Sequence, residues 1–463
     1  MNNLTQVIAA VSTPPGKGGV AIIRMSGHGA FEIADKVFFT ISGRKFSECE
    51  PRKQIYGHII EDGEKIDDVL ATRFPAPHSY TGEDTVEIGC HGGILVTRTV
   101  LEALLRAGAM PATAGEFTRR AFINGRLTLT EAEAISDLLE AKSREQIRLS
   151  SDSARAVLSS KISTIRKALV ELMSSIYARI DYPDEDLGDF SDDQVISHLY
   201  NIKEDLKALL STYRTGRAIS EGINTVICGK PNAGKSSLYN LLLGEDAAIV
   251  TDIPGTTRDV LCRSIPLGKV MLNISDTAGI REREDMDAVE RIGIEKSRAQ
   301  IKKSELLFAI FDISRPFDEE DKLISQAVNE SNAAKIALLN KTDLEAKFDE
   351  SSLSGFDAII KISAKKDEAQ AISLLISTVE GMFTDEKITI GTDPIISSAR
   401  QHAALTRALD FVNAALDSLQ LGFSQDAASS DVERALGAIS ELDGRSVSEE
   451  IVSDIFSKFC VGK

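Results

Sequence analysis

Residues 229–236 read GKPNAGKS, a stretch with the spacing GxxxxGK[ST]. It directly follows the short apolar run 225–228 and precedes the helical pattern SSLYNLLL. Glycines at these positions let backbone N–H groups wrap around a phosphate at the N-terminus of a helix. The Lys235 ammonium can reach the terminal phosphates, and the Ser236 hydroxyl can bind Mg²⁺. The stretch therefore predicts a nucleotide-binding loop between a strand and a helix.

Short β-type runs continue after this loop and alternate with helical patterns. Together with the run before the loop, they cover residues 225–228, 271–275, 306–311, 335–339 and 359–362. Strand–helix alternation of this kind is typical of a parallel, doubly wound sheet. The sequence therefore predicts an α/β nucleotide-binding domain over residues 222–383.

Two polar segments lie between the phosphate loop and the third run. Residues 249–259 read IVTDIPGTTRD, and residues 276–279 read DTAG. Asp276 can hold the Mg²⁺ shell, and the N–H of Gly279 can donate to a γ-phosphate. Thr257 is expected to complete the Mg²⁺ coordination when the γ-phosphate is present.

Two further motifs predict the base. Residues 340–343 read NKTD, and the carboxylate of Asp343 can accept two hydrogen bonds from guanine, a donor pair that adenine lacks. Residues 363–365, SAK, can back the base with main-chain groups. In this order, the motifs resemble those of translation-factor-class P-loop GTPases. The predicted GTP contacts are Asn232, Ala233, Gly234, Lys235, Ser236, Ser237, Thr251, Asp252, Ile253, Pro254, Gly255, Thr256, Thr257, Asp276, Thr277, Ala278, Gly279, Asn340, Lys341, Asp343, Ser363, Ala364 and Lys365.

The residue after DTAG is Ile280, where many relatives carry a glutamine that orients the attacking water. Another group must therefore position the water and neutralise charge. Asn232 and the glycine- and threonine-rich segment can together hold a monovalent cation in place of an arginine finger. Glu290 is the best nearby acid for orienting the water, and its alternative interpretation is a solvated helix carboxylate.

Composition limits the class of protein. The chain has 463 residues with 53 Lys+Arg and 70 Asp+Glu, a formal charge of −17 that argues against strong nonspecific nucleic-acid binding. Its length suggests about three domains. We expect no signal sequence and no membrane span, because the first residues lack a basic region and no long apolar segment occurs. Five scattered cysteines without a CxxC pair favour a reducing cytoplasm.

The texture of the chain predicts its domains. Residues 1–124 are rich in Gly, Pro and β-type runs, which indicates an α+β domain. Residues 125–221 and 384–463 show helical spacing, so we expect one discontinuous helical domain into which the α/β domain is inserted. The fold class is thus α/β multidomain.

Motifs along the whole chain resemble one family, the MnmE (TrmE) tRNA-modification GTPases. They include PPGKGG, TGED, HGG, GEFTRRAF, AEAISDL, DYPDED, GKPNAGKSS, IVTDIPGTTRD, DTAGIR, VERIG, NKTD and the terminal FCVGK. Several of these lie outside the GTPase core, which makes the resemblance specific.

The resemblance implies a set of binding residues. The N-terminal domain would be similar to tetrahydrofolate-binding proteins and would form a homodimer. Folate, in the form of 5-formyl-tetrahydrofolate or a relative, would contact Arg24, Glu87, Arg126 and Lys463. Potassium would bind Asn232, Thr251, Ile253 and Thr256, and Mg²⁺ would bind Ser236 and Thr257. Glu290 and Lys235 would act in GTP hydrolysis.

The resemblance also implies a reaction. With an FAD protein, MnmG, the family adds an aminomethyl or carboxymethylaminomethyl group to C5 of the wobble uridine of certain tRNAs. Tetrahydrofolate would supply the one-carbon unit. Cys460 would be a catalytic thiol in this setting, and the alternative is a buried thiol that serves only packing.

Two alternatives stay open at this stage. Arg119, Arg120 and Arg126 form a basic cluster whose members are individually expected to be solvated surface residues. The second function considered is a ribosome-assembly GTPase similar to Era-type proteins, although no strongly basic RNA-binding domain is visible.

Overall fold

The computed structural model describes residues 6–181, 191–244, 262–275, 301–444, 448–457 and 459–462. Contacts divide the chain into two compact units. One consists of Met1–Leu139 and Leu436–Lys463, and the other of Glu140–Ala435. The first unit therefore joins both ends of the chain, and the second contains the phosphate loop.

Strands and helices alternate along the described residues. The strands are β1 (Ile8–Val11), β2 (Val20–Ser26), β3 (Phe38–Thr40), β4 (Ile55–Glu61), β5 (Glu64–Phe74), β6 (Thr85–His91), β7 (Met110–Pro111), β8 (Ile223–Gly229), β9 (Cys262–Leu267), β10 (Val270–Ser275), β11 (Leu306–Asp312), β12 (Ala334–Asn340) and β13 (Ala358–Ile362). The helices are α1 (Ala30–Val37), α2 (Ile94–Arg106), α3 (Glu116–Ile123), α4 (Leu129–Glu140), α5 (Arg144–Leu149), α6 (Asp152–Asp181), α7 (Asp192–Ser211), α8 (Tyr213–Ser220), α9 (Lys235–Leu243), α10 (Glu319–Asn329), α11 (Glu368–Phe383), α12 (Ala399–Gln420), α13 (Gln425–Asp443) and α14 (Glu449–Ser457).

The first unit is built on a sheet whose described strands follow the order β3-β4-β5-β6-β2-β1-β7. Neighbouring strands are antiparallel except β1 and β7, which run parallel. Helices α1 and α2 pack on the sheet, and Ile23, Met25, Ile88 and Leu104 are fully buried between them and the strands. This is the α+β fold that the sequence predicts for the N-terminal part.

A smaller apolar cluster in the same unit joins α4 to the C-terminal residues. Its buried members are Leu129, Ala132, Val452, Phe456 and Phe459. The end of the chain is thus fixed in a core rather than frayed.

The second unit contains long helices, as the helical spacing of residues 125–221 predicts. Helix α7 begins at a capping box formed by Ser191 and Gln194, and it packs against α6 and α12. Gln420 at the end of α12 donates a hydrogen bond of 2.8 Å to the Tyr200 hydroxyl of α7. Helices from the two sides of the inserted sheet thus pack together, which confirms the predicted discontinuous helical domain.

The sheet of the second unit has the order β13-β12-β11-β8-β10-β9. The five predicted runs lie within β8, β10, β11, β12 and β13, which are parallel. Alternate residues of β11 face opposite cores, so that Phe308 packs on one side and Phe311 on the other. Apolar cores on both faces confirm the doubly wound architecture.

One strand of this sheet escapes the sequence analysis. Strand β9 pairs antiparallel with β10 through a turn at Gly268 and Lys269. It is short and contains Pro266, which is tolerated because β9 lies at the edge of the sheet.

Candidate functional site

The predicted nucleotide-binding motifs lie at one edge of the second unit's sheet. Strands β8, β12 and β13 end at Gly229, Asn340 and Ile362, where the phosphate loop, NKTD and SAK begin. Because these strands are parallel and lie close together in the sheet, their carboxyl ends share one edge. Open α/β sheets bind their ligands at this edge.

Backbone geometry of the phosphate loop explains its glycines. Gly229 has φ 153° and Gly234 has φ 111°, values that side chains rarely allow. A Cβ on Gly229 would lie 2.6 Å from the carbonyl oxygen of Ile310, and a Cβ on Gly234 would overlap the side-chain amide of Asn340. Asn232 also adopts a left-handed conformation, with φ 62°. The loop therefore wraps closely and presents its backbone at the N-terminus of α9.

Asn340 connects the phosphate loop to the SAK segment. Its Nδ2 donates a hydrogen bond of 2.9 Å to the carbonyl of Ala233, and its Oδ1 accepts one of 3.1 Å from the N–H of Ala364. The Asn340 side chain is buried, with 3% of the residue exposed. The first residue of NKTD thus fixes the relative position of two other motifs.

Asp343 is held in a conformation suited to binding a base. Its Oδ1 accepts a hydrogen bond of 2.8 Å from the Ser363 hydroxyl, and its Oδ2 lies 3.4 Å from the Nζ of Lys366. The hydrogen bond from Ser363, with a smaller contribution from Lys366, holds the pKa of Asp343 below its usual value. The carboxylate is therefore ionised and can act as an acceptor for guanine.

Lys235 is oriented within the phosphate loop. Its Nζ donates hydrogen bonds of 2.8 Å to the carbonyls of Gly229 and Lys230. Burial lowers the pKa of Lys235, and within the described residues no carboxylate pairs with its ammonium to offset the loss of water. A phosphate would supply that missing charge, so the loop fits a nucleotide phosphate. Ser236 and Ser237 follow in the first turn of α9, and Ser236 is exposed.

Asp312, the last residue of β11, holds a lysine of the NKTD motif, although it belongs to none of the sequence motifs. Its Oδ2 lies 2.5 Å from the Nζ of Lys341, whose backbone has φ 70°. Burial alone would raise the pKa of Asp312, but hydrogen bonds from Lys341 and Ser314 outweigh burial and lower it. The acidic end of an otherwise apolar strand, in FAIFD, is the signal that could have revealed it.

Several predicted site residues lie outside the described residues. They are Thr251, Asp252, Ile253, Pro254, Gly255, Thr256, Thr257, Asp276, Thr277, Ala278, Gly279, Glu290 and Lys463. Their roles remain predictions.

In the first unit the structure brings two predicted folate residues together. Arg24 on β2 and Glu87 on β6 are cross-strand partners, and both Nε and Nη2 of Arg24 donate to Glu87 Oε1, at 2.9 and 2.7 Å. The guanidinium also lies over the rings of Tyr80 and Phe117, 5.5 and 5.8 Å from their centroids. A partly exposed carboxylate thus lies beside a cation among aromatic rings.

Arg126 lies beside the loop of the TGED motif. Gly82 has φ 79°, and a Cβ built on it would lie 3.2 Å from Cγ of Arg126. The same loop is fixed by Asn124, whose Nδ2 donates to the carbonyl of Thr81 at 2.8 Å. The predicted residue Arg126 therefore lies next to the TGED loop. Among the described residues it forms no hydrogen bond or ion pair with Arg24 or Glu87.

Arg120 corrects an expectation. It is not a solvated surface residue: 1% of it is exposed, and it forms ion pairs with Glu83 at 3.1 Å and Glu116 at 3.0 Å. It also donates to the backbone carbonyl of Gln6 at 2.9 Å. A buried guanidinium needs such partners, so Arg120 organises the TGED loop instead of forming a basic surface.

The C-terminal tail is built into the first unit. Val461 forms an antiparallel bridge with Ala114, and the Ser12 hydroxyl donates to the carbonyl of Gly462 at 3.0 Å. Cys460 is exposed, which overturns the alternative of a buried thiol that serves only packing. Phe459 fills the core instead, with 5% exposed.

Two family models together match most of the chain. A family model described as the MnmE helical domain matches residues 129–460, and one described as the GTP-binding protein TrmE N-terminus matches residues 7–126. Proteins named tRNA modification GTPase MnmE are 42% identical over 462 residues in Thermotoga maritima and 40% identical over 457 residues in Finegoldia magna. Both alignments cover 98% of this chain and 99% of the relative.

The chain belongs to the MnmE family. Among solved structures, one of Era in complex with MgGDPNP and nucleotides of 16S ribosomal RNA is 24% identical, covers 41% of this chain and 66% of that chain, and has a TM-score of 0.28. A TM-score this low carries no argument. The alternative of an Era-type protein is not favoured. One MnmE-family model covers residues 129–460, which include the phosphate loop, and the other covers residues 7–126 before it.

As a member of the MnmE family, the chain is a GTP-binding enzyme of tRNA modification. Across the described ranges no helix has both the length and the apolar character needed to cross a membrane. The same ranges contain no cluster of three or more His, Cys, Asp or Glu side chains arranged to hold a metal ion.

Proposed function

We propose that this MnmE-family chain is a potassium-dependent GTPase that modifies C5 of the wobble uridine of certain tRNAs. The product would be an aminomethyl- or carboxymethylaminomethyl-uridine, made together with an FAD-dependent partner, MnmG. Tetrahydrofolate would supply the one-carbon unit when bound. The observation that carries the GTPase part is the connection of the phosphate loop to both base-binding motifs through Asn340.

The donor set of the phosphate loop supports Mg²⁺ and K⁺ as its ions. Ser236 offers an exposed hydroxyl in the first turn of α9, beside the predicted phosphate position. Asn232 is exposed and held in a left-handed conformation by the loop, so its amide oxygen is available to a monovalent cation. The remaining proposed ligands are Thr251, Ile253 and Thr256 for K⁺ and Thr257 for Mg²⁺, with Glu290 orienting the water.

The Arg24–Glu87 pair supports a folate site in the first unit. A pterin ring presents neighbouring N–H groups that can donate hydrogen bonds to a carboxylate such as Glu87. Aromatic side chains can pack on the face of the same ring. The backbone of the docked tail lies near the same strands, because Gly462 contacts Ser12 and Val11 pairs with Ile23. We extend the proposed site to Arg126 and Lys463, and we propose that the exposed thiol of Cys460 takes part in the chemistry.

The assembly is also a proposal. We infer a homodimer formed through the N-terminal domain, cytoplasmic localisation, and domains at residues 1–124, 125–221, 222–383 and 384–463. GTP hydrolysis would then move the nucleotide-binding domains relative to the modification site, which is the usual way in which nucleotide state controls a distant site.

The ion requirement can be tested by GTP turnover in potassium and in sodium buffer at equal ionic strength. We expect strong potassium stimulation of the wild-type chain. Asn232→Gly is the informative variant, because glycine tolerates φ 62° and removes only the amide. Its turnover should lose the potassium stimulation. Equal, appreciable wild-type rates in both buffers would remove the potassium proposal and leave the GTPase in place.

The folate and tRNA roles need separate tests. Calorimetric titration with 5-formyl-tetrahydrofolate should show binding that Glu87→Gln weakens at least tenfold, while the exposed control Glu64→Gln binds normally. Equal binding by Glu87→Gln and wild type would remove the pair from the site. Analysis of wobble uridines in a deletion strain should show loss of the modification, and unchanged modification would contradict a nonredundant role.

A further inference from the structure

A partly buried ion-pair clamp holds the phosphate loop from outside the nucleotide-binding motifs. The Nζ of Lys230 lies 2.7 Å from Oδ2 of Asp318 and 2.7 Å from Oδ2 of Asp321. Only 12% of the Lys230 side chain and 4% of the Asp321 side chain are exposed, whereas Asp318 is 55% exposed. Lys230 occupies a variable position of the GxxxxGK[ST] pattern, so the pattern itself assigns it no role.

The acidic side of the clamp is itself rigid. Asp318 caps α10 by accepting from the N–H groups of Glu320 and Asp321, and the Asp321 carboxylate accepts from the N–H of Asp318 in return. This reciprocal capping box fixes both carboxylates before Lys230 reaches them. The clamp therefore ties the phosphate loop to the beginning of a helix, rather than to a flexible surface side chain.

The clamp separates the roles of the two lysines in the loop. Lys230 is neutralised by two carboxylates and is not available to a phosphate. Lys235, in contrast, donates to the carbonyls of Gly229 and Lys230 and pairs with no carboxylate in the part of the chain that the structure describes. The side chain of Lys230 is thus anchored to Asp318 and Asp321, and its backbone carbonyl accepts a hydrogen bond that orients Lys235. Asn232, with φ 62°, follows two residues later in the same fixed loop.

A second ion pair makes the same connection from the base-binding side. Lys341 of NKTD bonds to Asp312 at the end of β11, and Asp318 lies six residues further along the same β11–α10 connection. The phosphate loop and the base-binding loop are therefore both tied to one connection that contains none of the nucleotide motifs.

We propose that Lys230 is a positioning residue for the nucleotide: its clamp to Asp318 and Asp321 holds the phosphate loop in the binding conformation before GTP arrives. Without the clamp, the loop would have to be ordered by the nucleotide, and affinity would fall by the cost of that ordering. This inference concerns nucleotide binding alone, so it does not depend on the potassium or folate proposals.

The test is the Kd of a fluorescent GDP analogue for the full chain, measured well below the melting temperature of every variant. We expect Lys230→Met to raise this Kd at least fivefold and Lys230→Arg to keep it within twofold of wild type, because arginine can still bridge the two carboxylates. Lys322→Met is the matched control: Lys322 lies in α10, the helix that Asp318 caps, and its exposed side chain forms a loose 3.8 Å pair with Glu319. Its Kd should stay at the wild-type value.

A second pair of variants distinguishes loss of loop positioning from two other effects: an unpaired carboxylate and a general loss of stability. Lys230→Met with Asp321→Asn removes the more buried of the two carboxylates that would lose their partner, and we expect its Kd to remain at least fivefold raised. Asp318→Asn keeps a capping side chain, removes the exposed ion pair, and should give an intermediate Kd. Recovery of wild-type affinity in the double variant would overturn the proposal. So would an unchanged Kd in Lys230→Met, even if its melting temperature falls.

Discussion

The side-chain amide of Asn340 donates to the carbonyl of Ala233 over 2.9 Å, although 107 residues separate them in the chain. The same side chain accepts from the N–H of Ala364. One buried residue therefore sets the distance between the phosphate loop and the segment that backs the base. Within the described residues, this bridge joins the phosphate-binding and base-binding sides of the nucleotide site.

Replacing Asn340 by alanine should damage both stability and GTP binding. The Ala233 carbonyl and the Ala364 N–H would lose their partners in a buried place, and each stranded group costs about 1–3 kcal/mol. We expect a lower melting temperature and at least a tenfold weaker GDP affinity. Asn329→Ala, which removes an exposed hydrogen bond to Ser354, is the control and should change neither quantity much. Unchanged GDP affinity in Asn340→Ala would contradict the bridging role.

Asp343→Asn should change the preferred base. Asparagine replaces the carboxylate that accepts from guanine by an amide that can donate to the extra carbonyl of xanthine. Loss of two charge-assisted hydrogen bonds predicts about 100-fold weaker GTP binding or more, at 1.4 kcal/mol for each factor of ten. Competition between GTP and XTP measures the shift, and the variant should favour XTP.

Asp367→Asn, an exposed acid at the start of α11, serves as the control for this base switch. It should retain the preference for GTP. A variant Asp343→Asn that still prefers GTP would show that Asp343 does not contact the base.

The fold of the nucleotide-binding part could be predicted because its signals are local. Five short apolar runs, each followed by a helical pattern, mark β8, β10, β11, β12 and β13, and the polar motifs directly follow the ends of all these strands except β11. Strand β9 was missed because Pro266 interrupts a short run at a sheet edge. Its position depends on pairing with β10, which a local pattern does not encode.

The first unit was harder to predict because its contacts are long-range. Arg120 has the charge of a surface residue, but its partners Gln6 and Glu83 lie 114 and 37 residues away. The docking of the tail joins Ser12 to Gly462 across 450 residues. The local sequence around Arg120 does not show that this residue is buried. The local sequences around Ser12 and Gly462 do not show that these two residues are in contact.

The ion pair between Asp312 and Lys341 predicts a pH dependence of stability. The pKa of Asp312 is lower in the folded chain than in the unfolded chain, where it is about 3.9. Stabilisation by the ionised carboxylate is therefore complete above that unfolded value and is lost as the pH falls through the folded value. The difference in free energy of unfolding between wild type and Asp312→Asn should be largest at neutral pH and should shrink below about pH 4.

Urea unfolding at pH 7, 5 and 3.5 measures this dependence. The exposed substitution Glu345→Gln provides the control for general effects of acid. A difference between wild type and Asp312→Asn that stays constant over this range would show that the ionised carboxylate contributes nothing beyond its neutral hydrogen bonds.

Gly462→Ala should release the C-terminal tail. Gly462 has φ 100°, and a Cβ built on it would overlap the carbonyl oxygen of Val11. The backbone must therefore move away from Ser12, which breaks the hydrogen bond to the Gly462 carbonyl and the bridge between Val461 and Ala114. We expect faster amide exchange at Gly115, whose N–H faces the Cys460 carbonyl at 3.4 Å, and weaker binding of 5-formyl-tetrahydrofolate.

Gly437→Ala is the matched control, because a Cβ there meets no atom within 4 Å and the residue lies inside helix α13. Alanine in a helix interior is favoured over glycine by about 1 kcal/mol, so this variant should be at least as stable as wild type. Exchange at Gly115 that stays slow in Gly462→Ala would show that the tail tolerates the added methyl group in place. Fast exchange with unchanged folate binding would instead separate tail docking from the folate site, and would leave Arg24 and Glu87 to bind the ligand without it.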